Sequence, residues 1–186
     1  MADLEKNTDK DFNSMNMQAD EGVVEAQLEE TIIKTRRVAK VVKGGRRFSF
    51  SVLVAVGDKD GRIGIGFGKA NEVSDAISKA SQNAKKNMQK IYLTKRKTVP
   101  HEIIGEFKGS KVIIRPAAPG TGVIAGGAVR AVLELSGVEN ILSKSLGSKS
   151  PLNAANATLN ALKSLRKFKD VAMVRGITVK EMLGQK

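Results

Sequence analysis

The sequence predicts an α+β chain in two units, a β-β-β-α layer followed by a two-layer α/β unit. Three patterns carry this prediction. Phe48, Phe50, Val52, Val54 and Val56 recur at every second position, and Ile63, Ile65 and Phe67 resume the pattern after Asp58-Lys59-Asp60-Gly61, which is strand periodicity across a turn. Val73, Ile77, Ala80, Ala84, Met88 and Ile91 then fall three or four apart, the spacing of one helix face. From residue 100 onward, strand-like and helix-like segments alternate again.

Taken in order, residues 1–25 are acidic, polar and unpatterned, and are expected to form a disordered extension. Ile32, Ile33, Val38, Val41 and Val42, set among Lys34, Arg36, Arg37 and Lys40, predict a first strand over about 30–42. It enters a tight basic loop, Lys43-Gly44-Gly45-Arg46-Arg47, in which the glycines let the chain turn and approach a partner. Strand two runs to Val56 and strand three from about Arg62 to Phe67. Gly64, Gly66 and Gly68 leave one face of strand three without side chains, open to another backbone or to a nucleic acid. Asn71 or Ser74 can cap the next helix, with Glu72 and Asp75 near its positive end. Lys79, Asn83, Lys86 and Lys90 share its second face, with Lys85 beside them.

The first unit therefore spans 30–95, and the polar connector Thr94–Pro100 separates it from a second unit over 100–186. There, Glu102–Phe107 and Lys111–Arg115 flank a Lys108-Gly109-Ser110 turn and read as a hairpin. Pro116 to Gly122 is a loop, and Ala128, Val129, Val132 and Leu133 mark a helix ended by Gly137. Asn140–Leu146 reads as a short strand. Ser150 and Pro151 open a helix that buries Leu152, Ala155, Leu159 and Leu162 and shows Asn153, Asn156, Asn160, Lys163 and Lys167. Thr178 and Glu181 form a capping box for a last short helix.

Charge bounds the function. The net charge is +13, but the first 30 residues hold nine carboxylates against two lysines, so the remaining 156 carry +20. That much like charge on a compact body opposes folding until a polyanion neutralises it. An anionic lipid surface is the weaker candidate, because no basic helix face comes with large anchoring aromatics. With no cysteine, disulfides and thiolate sites are excluded, and a reducing compartment is the expected setting. No apolar run approaches the ~18 residues of a membrane span, and the opening Met-Ala-Asp-Leu-Glu-Lys-Asn is not expected to be a secretory signal.

Catalytic motifs are weak. Gly68-Lys69-Ala70 fails the phosphate-loop pattern at two positions. Gly120-Thr121-Gly122-Val-Ile-Ala125 meets a loose dinucleotide pattern, but Pro116 and Pro119 separate it from the preceding strand, so its amides are expected to face an RNA phosphate or a neighbouring protein instead. His101 is the single histidine and is expected to lie on the surface; Asp58 and Asp60 are explained by their turn. No cofactor and no metal is expected. A small phosphotransferase and a free-standing RNA chaperone remain as alternative readings.

The basic elements converge better. Lys43, Arg46, Arg47 and Lys69 are the expected phosphate contacts, joined by the Lys79, Lys86 and Lys90 face and Lys85. Lys40, Ser49, Arg62, Arg115 and Asn153 complete the candidate RNA-binding set with Gly44, Gly45, Gly120, Thr121 and Gly122. The shortage of aromatics argues for recognition of shape and phosphate over base stacking.

Val-Lys-Gly-Gly-Arg at 42–46 with Phe48-Ser49-Phe50, the run Gly-Arg-Ile-Gly-Ile-Gly-Phe-Gly-Lys-Ala at 61–70, and Gly-Thr-Gly-Val-Ile-Ala-Gly-Gly-Ala-Val-Arg-Ala-Val-Leu-Glu at 120–134 closely resemble the bacterial small-subunit ribosomal protein S-five family, as do Gly147-Ser148, Pro151-Leu152-Asn153 and Arg175-Gly176. The resemblance covers about 30–184 and leaves the acidic extension outside it. It implies a double-stranded-RNA-binding-like first domain and a second domain with a left-handed βαβ crossover, against the usual handedness. It also implies a cytoplasmic, non-enzymatic constituent of the small ribosomal subunit that binds 16S rRNA and braces head against body. By the same resemblance, Gly126, Gly127 and Arg130 face ribosomal protein S-four in an interface tied to accuracy near the mRNA entry path, and ribosomal protein S-eight is a second neighbour. Neither a membrane nor a second copy of the chain is an expected partner. Glu72 and Asp75 stand where free-standing double-stranded-RNA modules place lysines, which shifts the expected contacts toward the loop and sheet.

Overall fold

The computed structural model describes residues 28–94, 96–182 and 184. The acidic extension expected over 1–25 lies outside the described residues. The elements run β1 (Glu29–Val42), β2 (Gly45–Gly57), β3 (Arg62–Ala70), α1 (Val73–Lys86), β4 (Gln89–Lys90), β5 (Ile103–Phe107), β6 (Ser110–Pro116), β7 (Val123–Ile124), α2 (Gly127–Leu135), β8 (Ile141–Gly147), α3 (Pro151–Lys163), α4 (Phe168–Arg175) and α5 (Val179–Met182). They form an antiparallel sheet ordered β1-β2-β3-β4 and a second sheet ordered β5-β6-β8-β7, in which β7 and β8 run parallel through the α2 crossover.

Alternation along β2 sends Val52, Val54 and Val56 to one face, where they are fully buried against Ala76, Ala80 and Ala84 of α1. The glycines of β3 face the same helix. A Cβ on Gly66 would stand 1.9 Å from the Ala80 carbonyl oxygen, and one on Gly64 or Gly68 would stand 2.2 Å from the Ala84 oxygen or 2.3 Å from the Ala76 oxygen. The bare face is thus filled by the chain's own helix, and a nucleic acid cannot approach it. So close a contact requires alanines, which is why the buried helix face is Ala76, Ala80, Ser81 and Ala84 while Val73 is 38% exposed. Met88 and Ile91 lie beyond the helix, and Lys90 belongs to β4, paired with Arg62. The expected caps differ as well: Glu72 is the N-cap without a side-chain bond, Asn71 instead accepts a hydrogen bond from Ser49 Oγ at 3.2 Å, and Ser74 sits inside the helix.

The opposite face of the first sheet is not free along its length. Leu53, Ala55, Ile63 and Ile65 join Val112, Ile114, Val132, Leu133, Ile141, Ala155 and Leu162 in one core that spans both sheets. The turn after β2 docks on the end of α2: Lys59 and Gly61 amides donate to the carbonyls of Leu135 and Ser136, each at 3.1 Å. Asp58 holds that turn by accepting from the amides of Asp60 and Arg62 and from Arg62 Nε, all at 2.8 Å. Burial pushes the Asp58 carboxyl up, but those donors outweigh it and leave its pKa below the ordinary value.

In the second unit, Gly105 repeats the device of the first. A Cβ there would meet the Ala157 oxygen at 2.1 Å, so α3 also lies directly on a glycine strand. Ala155, Leu159 and Leu162 are buried as expected, whereas Leu152, at the first turn, is 37% exposed. Two elements escape detection by periodicity: β7 is two residues long, and α4 buries only Ala172. Lys167 is therefore the N-cap of α4 and not part of α3. The box at the last helix forms as its spacing predicts, with the Thr178 amide donating to Glu181 Oε2 at 2.8 Å and the Glu181 amide to Thr178 Oγ1 at 3.3 Å. His101 is half-buried and structural: its Nε2 accepts from the Arg166 amide at 3.2 Å, which leaves Nδ1 to donate to the Glu102 carbonyl at 2.9 Å.

Candidate nucleic-acid interface

β1 and β2 extend past the end of α1 as a two-stranded arm. Val42 pairs with Gly45, so the turn is only Lys43-Gly44, and Arg46 and Arg47 are strand residues opposite Val41 and Lys40. This narrows the expected five-residue loop to two. Gly44 has φ 97°, and a Cβ there would meet nothing within 4 Å, so glycine serves the backbone conformation and not a tight fit. Residues 39–41 and 43–48 are all exposed, on both faces of the arm. Arg37 lies over the Phe48 ring at 3.6 Å from its centroid and stiffens the arm's base.

Register sorts the cations. Lys40 pairs with Arg47, Arg36 with Ser51, and Ser51 with Lys69. Since paired residues share a face, Lys34, Arg36, Lys40, Arg47, Ser49 and Lys69 all lie on the side away from α1. Arg46 and Arg37 lie on the other side, and Lys43 is at the tip. Among the described residues none of these cations makes an ion pair. The paired set is a different one: Lys59 with Glu29, Arg62 with Asp58, Lys85 with Glu30, Lys97 with Glu139, Lys111 with Glu106, Arg115 with Glu102 and Arg130 with Glu134. These seven remain about half exposed, at 48–59%, but each has a carboxylate within reach, which the cations of the first group lack among the described residues.

Of the cations expected on the helix face, Lys79 and Lys86 are exposed on α1, whereas Lys85 is held by Glu30 and Lys90 leaves the helix and stands with Arg62 at the end of the sheet remote from the tip. Glu30 also accepts from Ser81 Oγ; that bond and Lys85, against a smaller desolvation cost, lower its pKa. In the second unit, the loop at 120–122 turns its amides inward. Gly120 and Gly122 donate to Asn140 Oδ1 at 2.9 and 3.2 Å, and Thr121 donates to Ala118 from both amide and hydroxyl. Those amides are unavailable to a phosphate, and β7 follows Gly122 directly, where a dinucleotide turn needs a helix. Gly126 and Gly127 are exposed at the start of α2, with Arg130 one turn on.

Lys34, Arg36 and Arg37 were visible in the sequence as strand residues but not as candidate sites. The signal was the alternation of β1, which a mid-strand bulge between Ile32 and Lys34 disrupts. Lys34 and Arg36 also stand at a groove of about 240 Å³, whose other walls are Val38, Ser51, Leu53 and Phe67 of the sheet, Pro151 and Leu152 of α3, and Ser150, the N-cap of that helix. Asn153 lies in the next position of that helix. The described residues contain no cluster that could hold a metal ion, and no helix among them is long and apolar enough to cross a membrane.

Residues 28–92 match the family described as ribosomal protein S5, N-terminal domain, and residues 105–175 match ribosomal protein S5, C-terminal domain. A small ribosomal subunit protein uS5 from Picosynechococcus is 52% identical over 158 residues, covering 85% of this chain and 91% of that protein. The uS5 protein of Thermotoga petrophila is 54% identical over 156 residues, covering 84% and 87%. That of Synechococcus elongatus is 52% identical over 158 residues, covering 85% and 88%.

Proposed function

The chain belongs to the ribosomal protein S5 family, and from that premise we propose that the unpaired cations of the β1-β2 arm are its principal rRNA contacts. As a member of this family it is a non-enzymatic constituent of the small ribosomal subunit and binds rRNA. One observation supports the assignment to the arm: Lys40, Lys43, Arg46 and Arg47 gather on an exposed two-stranded ribbon, with Lys69 of β3 beside its base, and none has a carboxylate partner among the described residues. Such contacts position a backbone without reading sequence. Arg62, Lys85 and Arg115 contribute less, because each already has a carboxylate partner.

The finer reading follows the family resemblance. The arm and first sheet take the head side of the subunit, and the second sheet takes the body side. The exposed start of α2, with Gly126, Gly127 and Arg130, faces ribosomal protein S-four near the mRNA entry path, and that contact influences accuracy. Ribosomal protein S-eight is the second protein neighbour, and the setting is the cytoplasm. The shared core supports this bracing role, since a single apolar body made of both sheets transmits load between two attachment sites.

The test is reconstitution. Full-length chain added to small subunits stripped of their own copy should co-sediment through a moderate salt wash, and a chain changed at Arg46 and Arg47 to Gln should be released at lower salt. Release of both chains at the same salt refutes the assignment to the arm, and recovery of the unchanged chain in the supernatant refutes binding to the subunit itself.

A further inference from the structure

The groove beside Lys34 and Arg36 continues into the cationic sheet face that ends at Lys40 and Arg47, and RNA is not the only polyanion within its reach. Residues 1–27 of this chain hold seven carboxylates against two lysines, together with Phe12, Met15, Met17, Val23 and Val24. The described fold begins where that segment ends, at the edge strand β1. The first carboxylates of the acidic run that fall within the fold are already bound to cations of the body, Glu29 to Lys59 and Glu30 to Lys85, and Glu30 also accepts from Ser81 Oγ. We propose that residues 1–27 continue this pairing and occupy the cationic face of Lys34, Arg36, Lys40, Arg47 and Lys69 in cis, as an internal competitor that structured rRNA displaces.

The chemistry of the groove fits this occupant. Its mouth offers two cations, and its walls are Val38, Leu53, Phe67 and Leu152, two of which are large exposed apolar side chains, Phe67 at 50% and Leu152 at 37%. A segment whose carboxylates, Asp9 and Asp11 on one side and Asp20 and Glu21 on the other, flank Phe12, Met15 and Met17 satisfies both. Reach is ample: 27 residues extend to ~90 Å, whereas the 14 residues of β1 span about 48 Å. A second copy of the chain is disfavoured, because it would bring like charge against like. Tethering keeps the carboxylates at an effective concentration on the order of millimolar. Weak single contacts therefore suffice to screen the face from sparse or irregular anions, while a folded RNA of high phosphate density still wins.

The inference rests on the arm being the RNA surface, and two measurements separate the ideas. The first needs no RNA. Zero-length carbodiimide cross-linking of the full chain at low salt, read by mass spectrometry, should join carboxylates of residues 1–27 to Lys34, Lys40 or Lys69 within one molecule. Links to other lysines only, links between molecules, or none overturn the proposal. The second compares the full chain with its variant D9N, D11N, D20N, E21Q and E25Q. The variant should bind poly-A on the order of tenfold more tightly, with a smaller gain for a small-subunit rRNA fragment; equal poly-A affinity overturns the proposal. If both chains ignore the rRNA fragment, the arm assignment fails, while the cross-links still decide the cis contact.

Discussion

Removing Lys40, Arg47 and Lys69 together tests the division between ion-paired cations and those without a carboxylate partner. These three share the sheet face away from α1, stand exposed and have no carboxylate partner among the described residues. Each phosphate that a removed cation no longer neutralises makes the plot of log affinity against log salt shallower by about 0.7 to 0.9. The variant K40Q, R47Q, K69Q should therefore lose about 2 to 2.7 units of slope. Between 50 and 200 mM salt, the ratio of wild-type to variant affinity should shrink by roughly 20- to 40-fold. The control K59Q, K97Q, K111Q removes the same net charge from cations already held by Glu29, Glu139 and Glu106. Its slope should stay within about one unit of wild type. Fluorescence anisotropy of a labelled rRNA fragment, across a series of salt concentrations, measures both. Equal slope changes in the two variants would show that net charge alone governs binding and that the arm has no special part.

Three further outcomes follow from the packing. Gly66→Ala forces a Cβ to 1.9 Å from the Ala80 oxygen and 2.4 Å from the Ala84 nitrogen, both backbone atoms, so it should destabilise by ~3 kcal/mol or more, whereas Gly44→Ala meets nothing within 4 Å and pays only for its φ of 97°; equal melting temperatures for the two would contradict the helix-on-glycine contact. Asp58 has a lowered pKa, so its stabilisation is complete above the unfolded value of ~3.9 and disappears as pH falls through the lower folded value. Asp58→Asn should be less stable at neutral pH and show a flatter stability profile below pH ~4 in urea titrations; an unchanged profile means that the turn does not depend on the carboxylate. Asn140→Ala removes the acceptor for the Gly120 and Gly122 amides at a buried site, which should cost about 1–3 kcal/mol and speed hydrogen exchange at those two amides; unchanged exchange would show that another group holds the loop.

Much of the arm was legible because its signals are local. Alternation along β2, glycines at a turn and a cluster of Lys and Arg each concern a few neighbouring residues, and the structure keeps their strand and turn placement. What the sequence could not sort was which cations remain free. Arg62, Lys85 and Arg115 look like Arg47 and Lys69 in composition, but their partners Asp58, Glu30 and Glu102 lie 4, 55 and 13 positions away. Asn140 escaped for the same reason: it stands 20 positions from Gly120, and nothing near it announces a loop brace. The missed α4 is a different case, since a helix with a single buried residue has no face for periodicity to reveal.

The glycine face of β3 shows how a long-range contact can nevertheless be written locally. Gly64, Gly66 and Gly68 recur every two strand residues, about 6.7 Å. Ala76, Ala80 and Ala84 recur every four helix residues, about 6.0 Å. The two intervals agree closely enough for a row of alanines to lie along a row of glycines over three repeats, running antiparallel, so that Gly64 meets Ala84, Gly66 meets Ala80 and Ala84, and Gly68 meets Ala76 and Ala80. Gly105 meets Ala157 and Ala161, again four apart, in the second unit. A bare glycine strand alone is ambiguous between a nucleic acid and a helix. A glycine strand followed within a turn by alanines at spacing four is not, because larger side chains at those positions would hold the helix off the sheet. That pairing closes one face of the first sheet to phosphate, and the two-sheet core closes most of the other. What stays open is the arm and the strip of sheet beside it, and Lys40, Lys43, Arg46, Arg47 and Lys69, none of them ion-paired among the described residues, lie there.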